Sequence, residues 1–347
     1  TLVERIRALN FGRKESIRST MFSKQLKIVF LVSGGALFGV ILAKTNLQVL
    51  FEQIKNIGVG GALVVMFVYS IYFAADSLSW QFTINKVPFS YAWFIRCYGV
   101  RMVGEAYNNI TPAASLGGEP LKAWLLKANW QVPLTDSSVA LIVSKTTSMF
   151  TLVLFVALGM VFSFNHPSFS YEVKQNAALG FFIIVSFTFV FFLIQKLKLL
   201  SVFTYRLARK FKKKYFDQLL IISERIDQQF EKFYSVEKSR LFYSVFFASA
   251  NWLMGVVEIY LIFYFLGYPL SLQEAWMLEC FVQLVRTLTF FIPAGIGTQE
   301  GAFFVGAGML TGIASLGVAA ALVRRARDIL WISLSLAILP LFSVRPK

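Results

Sequence analysis

The chain has 347 residues, of which 57% are hydrophobic and only 15% charged. A soluble domain is usually closer to a quarter charged, so an ordinary water-soluble globular protein is excluded. The formal net charge of +16 does not point to nucleic acid either, because the basic residues fall between apolar blocks, where the positive-inside rule accounts for them.

In chain order, residues 1–26 carry Arg5, Arg7, Arg13, Lys14, Arg18 and Lys24 and form a basic cytoplasmic N-terminal arm. It reads either as a topogenic signal or as an amphipathic helix lying on anionic lipid. The first apolar run is long and follows this arm, so no cleavable signal pattern is evident. Spans read as 27–44, 57–83, 136–163, 177–195, 241–267 and 314–343, each close to the ~20 residues that cross a hydrocarbon core. Residues 27–56 thus hold the first span and an outer loop, and 164–195 a second outer loop and a connecting span. His166, the sole histidine, sits in that loop as a solvated residue. Cys97 and Cys280 lie in apolar stretches and read as buried free thiols. Segment 196–240 opens with Lys196, Lys198, Arg206, Arg209, Lys210, Lys212, Lys213 and Lys214, and reads as a basic cytoplasmic linker near the headgroups.

With both the N-terminus and the linker inside, the span directions close only if 91–127 starts and ends inside while 272–311 starts and ends outside. Each region is short for two full spans and is broken by Pro and Gly, which predicts a re-entrant hairpin. The two breaks are alike. One reads Pro112-Ala-Ala-Ser-Leu-Gly117-Gly118-Glu119 and the other Pro293-Ala-Gly295-Ile-Gly297-Thr-Gln-Glu300. The expected fold is therefore an all-α polytopic membrane protein with about six full spans and two oppositely oriented re-entrant hairpins. Repeat 1 covers 57–163 and repeat 2 covers 241–347. Inverted repeats with interrupted helices are a recurring transporter plan, with the substrate site where the interruptions meet.

Ionisable groups at bilayer depth are costly and are functional candidates by default. Arg101, Glu105 and Asn108 share one helix face, as do Glu279, Gln283 and Arg286. Glu105 and Arg286 stand at equivalent places before the two prolines, with opposite charge. Arg101, Asn108, Asn109, Arg286 and the turn amides around Gly117, Gly118, Gly295 and Gly297 are candidates to receive a headgroup, Arg101 because its fork suits phosphate oxygens. Glu105, Glu119, Lys122, Lys145, Glu279, Glu300, Arg324 and Asp328 are candidates for gating or for charge pairing. For Glu105, Glu119, Arg286 and Glu300, pairing alone and a cavity-lining role both stay open. Asp328 is expected to pair with a nearby Arg, for example Arg324 one turn earlier. Arg96 is expected to snorkel, and Trp80, Trp93, Trp124 and Trp130 to form interfacial belts. No nucleophile–base pair, metal set or cofactor motif is evident.

With these motifs in view, the chain resembles the transmembrane region of lysylphosphatidylglycerol synthases, a flippase-like family. The wording Pro112-Ala-Ala-Ser-Leu-Gly-Gly-Glu119 and Arg324-Arg325-Ala-Arg327-Asp328 is similar to that of its standalone, hopanoid-associated branch. The resemblance implies movement of lipid between leaflets of a bacterial cytoplasmic membrane, with both termini cytoplasmic. Two departures stand out. No counterpart of the aminoacyl-transferase domain lies in these residues, so lysyl-lipid synthesis is not expected. In addition, Ser144-Lys145-Thr146-Thr147 replaces the family's frequent Glu-Arg. The expected function is flippase- or scramblase-like translocation of a lipid with a polar or anionic headgroup, with Glu119 and Glu300 orienting the receiving cations or carrying coupling protons. The alternatives are a secondary transporter of a small polar solute, an intramembrane lipid enzyme, and a non-catalytic subunit of a lipid-modifying pathway. Membrane lipids are the expected partners, and the sequence does not fix the oligomeric state.

Overall fold

The protein is represented by a computed structural model that describes residues 39–40, 43, 47–85, 87–110, 117–211 and 214–342. The basic arm 1–26, nearly all of the predicted span 27–44, residues Pro112 to Leu116 of the first break, Lys212 and Lys213 and the last five residues lie outside the described residues. Every regular element among those described is helical, as the apolar blocks predict.

Helix α1 spans Leu47–Thr83. Its 37 residues would run about 56 Å as one straight rod, well beyond the ~30 Å hydrocarbon core. Gly58, at φ 58° and ψ −179°, breaks it where only glycine is at ease, so the stretch after it matches the predicted span 57–83. Among the described residues four helices are long and apolar enough to cross a membrane: the Leu50–Thr83 part of α1, α4 (Leu134–Asn165), α5 (Tyr171–Lys196) and α8 (Lys238–Phe265). They turn large apolar side chains outward, among them Phe67, Leu154, Phe187 and Phe246, all at least half exposed. Such faces are stable only against lipid or another apolar surface.

Between α1 and α4 lie α2 (Tyr91–Ile110) and α3 (Gly118–Trp130). Between α8 and α11 (Ala314–Ile338) lie α9 (Leu272–Leu288) and α10 (Thr298–Thr311). Each predicted hairpin region thus holds two helices, and the described residues between α9 and α10 form a break in the α-helix around 293–297. Ser79 meets Ser244, Asn251 bonds the Tyr72 carbonyl, and Gly61 lies against Phe265. Numbers fall along α1 as they rise along α8, so these two helices run antiparallel. The units also exchange partners: α2 packs on α11, and α9 packs on α4.

The charged segment forms a helical pair, α6 (Leu199–Phe211) and α7 (Lys214–Ser235). Phe230 and Phe233 of α7 are buried with Val139 and Val143 of α4. Burial pushes the Tyr234 hydroxyl up to about 12, so it stays a neutral donor to Gln195 Oε1 at 2.8 Å. Gln195 passes the bond on to Thr146 Oγ1, also at 2.8 Å.

Helices α10 and α11 touch backbone to backbone. A Cβ on Gly317 would stand 2.0 Å from the Phe303 carbonyl oxygen, which no rotamer change relieves. Gly317→Ala is therefore expected to destabilise the detergent-purified protein by about 1–3 kcal/mol, read as a lowered Tm. Gly60→Ala, which meets nothing within 4 Å, is the control and should leave Tm unchanged.

Candidate functional site

Polar side chains from six helices turn toward one cavity of about 210 Å³. A single water needs only ~10–15 Å³ measured this way, so the space holds several waters or one small polar group. Helix α1 contributes Tyr69, Tyr72, Phe73 and Asp76, spaced along one helical face. Helix α2 contributes Arg101, Glu105 and Asn109, and α9 contributes Glu279, Gln283 and Arg286. Lys145 and Ser148 come from α4, Asn251, Trp252 and Glu258 from α8, and Arg324, Arg327 and Asp328 from α11. Five basic and five acidic side chains therefore share one wall. Alternation within the helices explains it: Phe73, Met102 and Trp331 on adjoining faces close an aromatic cluster beside it.

Most of these charges are paired. Arg101, 7% exposed, forms an ion pair with Asp76. Arg324 Nη2 lies 2.7 Å from Glu279 Oε2 and 3.2 Å from Glu258 Oε2. Arg327 pairs with Glu258 and, at 2.6 Å, with Asp328. It also lies over the Tyr69 ring at 3.8 Å, a cation–π contact. Gln283 Nε2 donates to Glu279 Oε1 at 2.7 Å. Each of these ion pairs falls within one half of the chain, and the halves meet in this wall through neutral contacts and the Arg327–Tyr69 stack.

The breaks lie beside the cavity. In the first, Gly118 N donates to Asn108 Oδ1 at 2.7 Å. Asn108 Nδ2 donates to Glu105 at 3.2 Å and Glu119 at 3.3 Å. Helices α2 and α3 touch so closely that a Cβ on Gly118 would sit 1.8 Å from the Gly104 carbonyl oxygen. Glu119 Oε1 is held by Lys122 at 2.9 Å and by Lys145 at 3.6 Å. In the second break, Gly297 N donates to Glu300 Oε2 at 2.7 Å. Arg325 Nε meets Glu300 Oε1 at 2.5 Å, while its other nitrogens reach the Ala294 and Gly295 carbonyls at 2.8 and 3.0 Å. Ala294 is at φ 52°, a left-handed conformation that costs a non-glycine residue roughly 1–2 kcal/mol.

Of the residues singled out from the sequence, Arg101, Glu105, Asn109, Lys145, Glu279, Arg286, Arg324 and Asp328 reach the cavity. Glu119, Lys122, Asn108, Gly117, Gly118, Gly295, Gly297 and Glu300 do not line it. The amides of Gly118, Gly295 and Gly297 are already bonded within the protein, Gly295 N to Ile292 O at 3.0 Å, so they are not free to receive a headgroup in this arrangement. Glu119 and Glu300 hold Lys122, Lys145 and Arg325 rather than Arg101 and Arg286. Asp328 does pair with a nearby Arg, its neighbour Arg327; the example Arg324 instead faces the α8 and α9 carboxylates. Trp80 is fully buried beside Ile84 and Val100, so it cannot belong to a lipid-facing belt. Arg96 lies over the Trp93 and Trp130 rings at 4.8 and 5.5 Å. Cys97 and Cys280 are buried free thiols. His166 Nε2 lies 3.9 Å from Glu274.

Sequence reading passed over Asp76, Glu258, Asn251 and the tyrosine face of α1. The signal was present for the first two: each is a lone acid deep in an apolar run, at nearly the same distance before Pro112 and Pro293.

The family model described as lysylphosphatidylglycerol synthase TM region matches residues 25–335. A relative named UPF0104 membrane protein, from Methanothermobacter thermautotrophicus, is 22% identical over 259 residues, covering 70% of this chain and 73% of that protein. No solved structure matches the chain. The chain belongs to the lysylphosphatidylglycerol synthase transmembrane-region family and is an integral membrane protein.

Proposed function

We propose that this member of the lysylphosphatidylglycerol synthase transmembrane-region family moves lipid headgroups between the two leaflets, as a flippase- or scramblase-like translocator. The observation that carries the reading is the cavity wall itself. Ten acidic and basic side chains, from both halves of the chain, converge on one polar cavity among helices whose outer faces are apolar. Charges at such depth are retained for substrate or ion pathways far more readily than for packing. The headgroup passes through the cavity while the acyl tails remain in lipid.

In this reading α2–α3 and α9–α10 are re-entrant hairpins entering from opposite faces of a bacterial cytoplasmic membrane, with the basic arm and the 196–240 linker on the cytoplasmic side. The antiparallel α1 and α8, and the exchange of α11 and α4 between units, are what an inverted repeat requires. Ion pairs confined within each half suit relative rocking, because no buried charge pair in the wall has to break when one half moves against the other.

The test is leaflet exchange of tail-labelled fluorescent lipids in proteoliposomes, followed by reduction of the outer-leaflet dye. Exchange faster than in protein-free vesicles is expected for at least one polar-headgroup lipid. Rates equal to empty vesicles for every phospholipid class tried would overturn the reading.

A further inference from the structure

Eight of the ten charges on the cavity wall have an opposite charge within ion-pair distance: Arg101 with Asp76, Lys145 with Glu119, and Arg324 and Arg327 with Glu258, Glu279 and Asp328. Two do not. Glu105 is half-buried, and among the described residues its carboxylate accepts only from Asn108 Nδ2, at 3.2 Å. Arg286 is exposed to the cavity and makes no hydrogen bond or ion pair among the described residues. These two are the opposite charges that stand seven residues before Pro112 and Pro293 in the two units.

An ionised group in a confined site between apolar helices is costly unless something satisfies it. Had Glu105 and Arg286 served only to hold the hairpins together, the cheapest arrangement would be the one the other eight adopt, a direct contact. Instead one anion and one cation with no ion-pair partner among the described residues face the same small volume. The paired remainder of the wall is balanced, with four basic and four acidic groups, so it adds no net preference for either sign. A purely anionic group would satisfy Arg286 and leave Glu105 to repel it. A purely cationic group has the converse difficulty. Only a ligand carrying both charges satisfies both poles.

We propose that the cavity takes a zwitterion bearing a phosphate and a primary ammonium, with the phosphate against the Arg286 fork and the ammonium against the Glu105 carboxylate. This deepens the proposed function and, for the source of the ligand, rests on it. The shared chemistry occurs in a zwitterionic phospholipid headgroup and in free phosphoethanolamine, and the test separates the two.

Binding of dihexanoylphosphatidylethanolamine, dihexanoylphosphatidylglycerol and phosphoethanolamine is measured on the purified full chain. The ethanolamine lipid is expected to bind about tenfold tighter or more than the glycerol lipid, the scale of one charge-assisted contact. Glu105→Gln should bring the ethanolamine lipid down to the level of the glycerol lipid. Arg286→Gln should weaken both by about tenfold. Neither variant breaks an ion pair among the described residues, so both should unfold at the wild-type temperature. Equal binding of the two lipids, an unchanged ratio in Glu105→Gln, or no binding of any probe overturns the proposal. Phosphoethanolamine binding as tightly as the lipid supports the zwitterion site and overturns its assignment to lipid. Tail-labelled versions of both lipids are then compared for leaflet exchange. Glu105-dependent binding without exchange of either lipid sinks translocation and leaves the site standing, whereas exchange of both at equal rates sinks the zwitterion and leaves translocation standing.

Discussion

Arg324→Leu is expected to destabilise the protein by about 3–5 kcal/mol, the usual consequence of removing one partner from a buried ionic cluster. Arg324 is 2% exposed, and the carboxylates it serves, Glu258 and Glu279, are 2% and 1% exposed. Leucine fills much of the same space, so the loss is not mainly one of packing. It lies in what is stranded: among the described residues Glu279 would keep only the amide of Gln283, and Glu258 only Arg327. The Gly255 carbonyl, 3.4 Å from Arg324 Nη2, and the Phe303 ring, 5.2 Å from its guanidinium, would lose their contact too. Arg324→Leu combined with Glu279→Leu removes the stranded charge along with its partner, and should recover much of the loss. Thermal unfolding in detergent checks both. If the single variant unfolds like the wild type, or the double variant unfolds more easily than the single, the cluster is not holding α8, α9 and α11 together.

The charge arrangement gives the two halves different jobs in cohesion and in motion. Within each half, ion pairs fix the broken helices to the long ones: Asp76 of α1 to Arg101 of α2, and Glu279 of α9 to Arg324 of α11. Across the halves, at and near the wall, the contacts are hydrogen bonds and one cation–π stack. Ser79 meets Ser244, the Asn251 side chain meets the Tyr72 carbonyl, and the Tyr69 ring meets Arg327. Glu105 and Arg286, which have no ion-pair partner among the described residues, come from opposite halves.

The long apolar runs made the span-forming helices legible in the sequence, because a run of about 20 apolar residues has few other stable fates. The breaks at Pro112–Glu119 and Pro293–Glu300 were legible for a similar reason, since Pro and Gly clusters disfavour continuous helix. Which charge meets which was not. Asp328 looked like a partner for Arg324 at helical spacing, yet Arg324 faces Glu258 and Glu279, brought beside it from α8 and α9. Helical spacing fixes a face, and only packing fixes what that face meets. The glycine amides misled in another way: a turn that exposes N–H groups on paper here closes them with its own side chains, Asn108 in one unit and Glu300 in the other. Trp80 carried an interfacial composition signal but is walled in by α2, which no local pattern announces.

The last large effect expected is at Arg325. Arg325→Gln removes the single ionic partner that Glu300, 2% exposed, has among the described residues, and withdraws both donors from the Ala294 and Gly295 carbonyls. A loss of about 3 kcal/mol or more is expected, with faster hydrogen exchange at the Gly297 amide that Glu300 now holds. Arg325→Lys keeps a charge for Glu300 but not the fork that spans the turn, so it should fall between the wild type and Arg325→Gln. The corresponding basic residue of the first unit is Lys145, which also follows its hairpin and reaches its glutamate. Lys145 is 45% exposed and 3.6 Å from Glu119, which Lys122 already holds at 2.9 Å from a fully buried position. Lys145→Gln should therefore change unfolding very little. Were the two substitutions equally mild, the second turn would not depend on Arg325, and the left-handed Ala294 would have to be held by the chain alone. Were they equally severe, Lys145 would be serving Glu119 in a way its exposure does not allow. A large difference between them means that the two units, alike in sequence at their breaks, are fixed with unequal firmness: the turn at Pro293–Gly297 is clamped by one rigid fork, while the carboxylate after Pro112 rests on two flexible lysines.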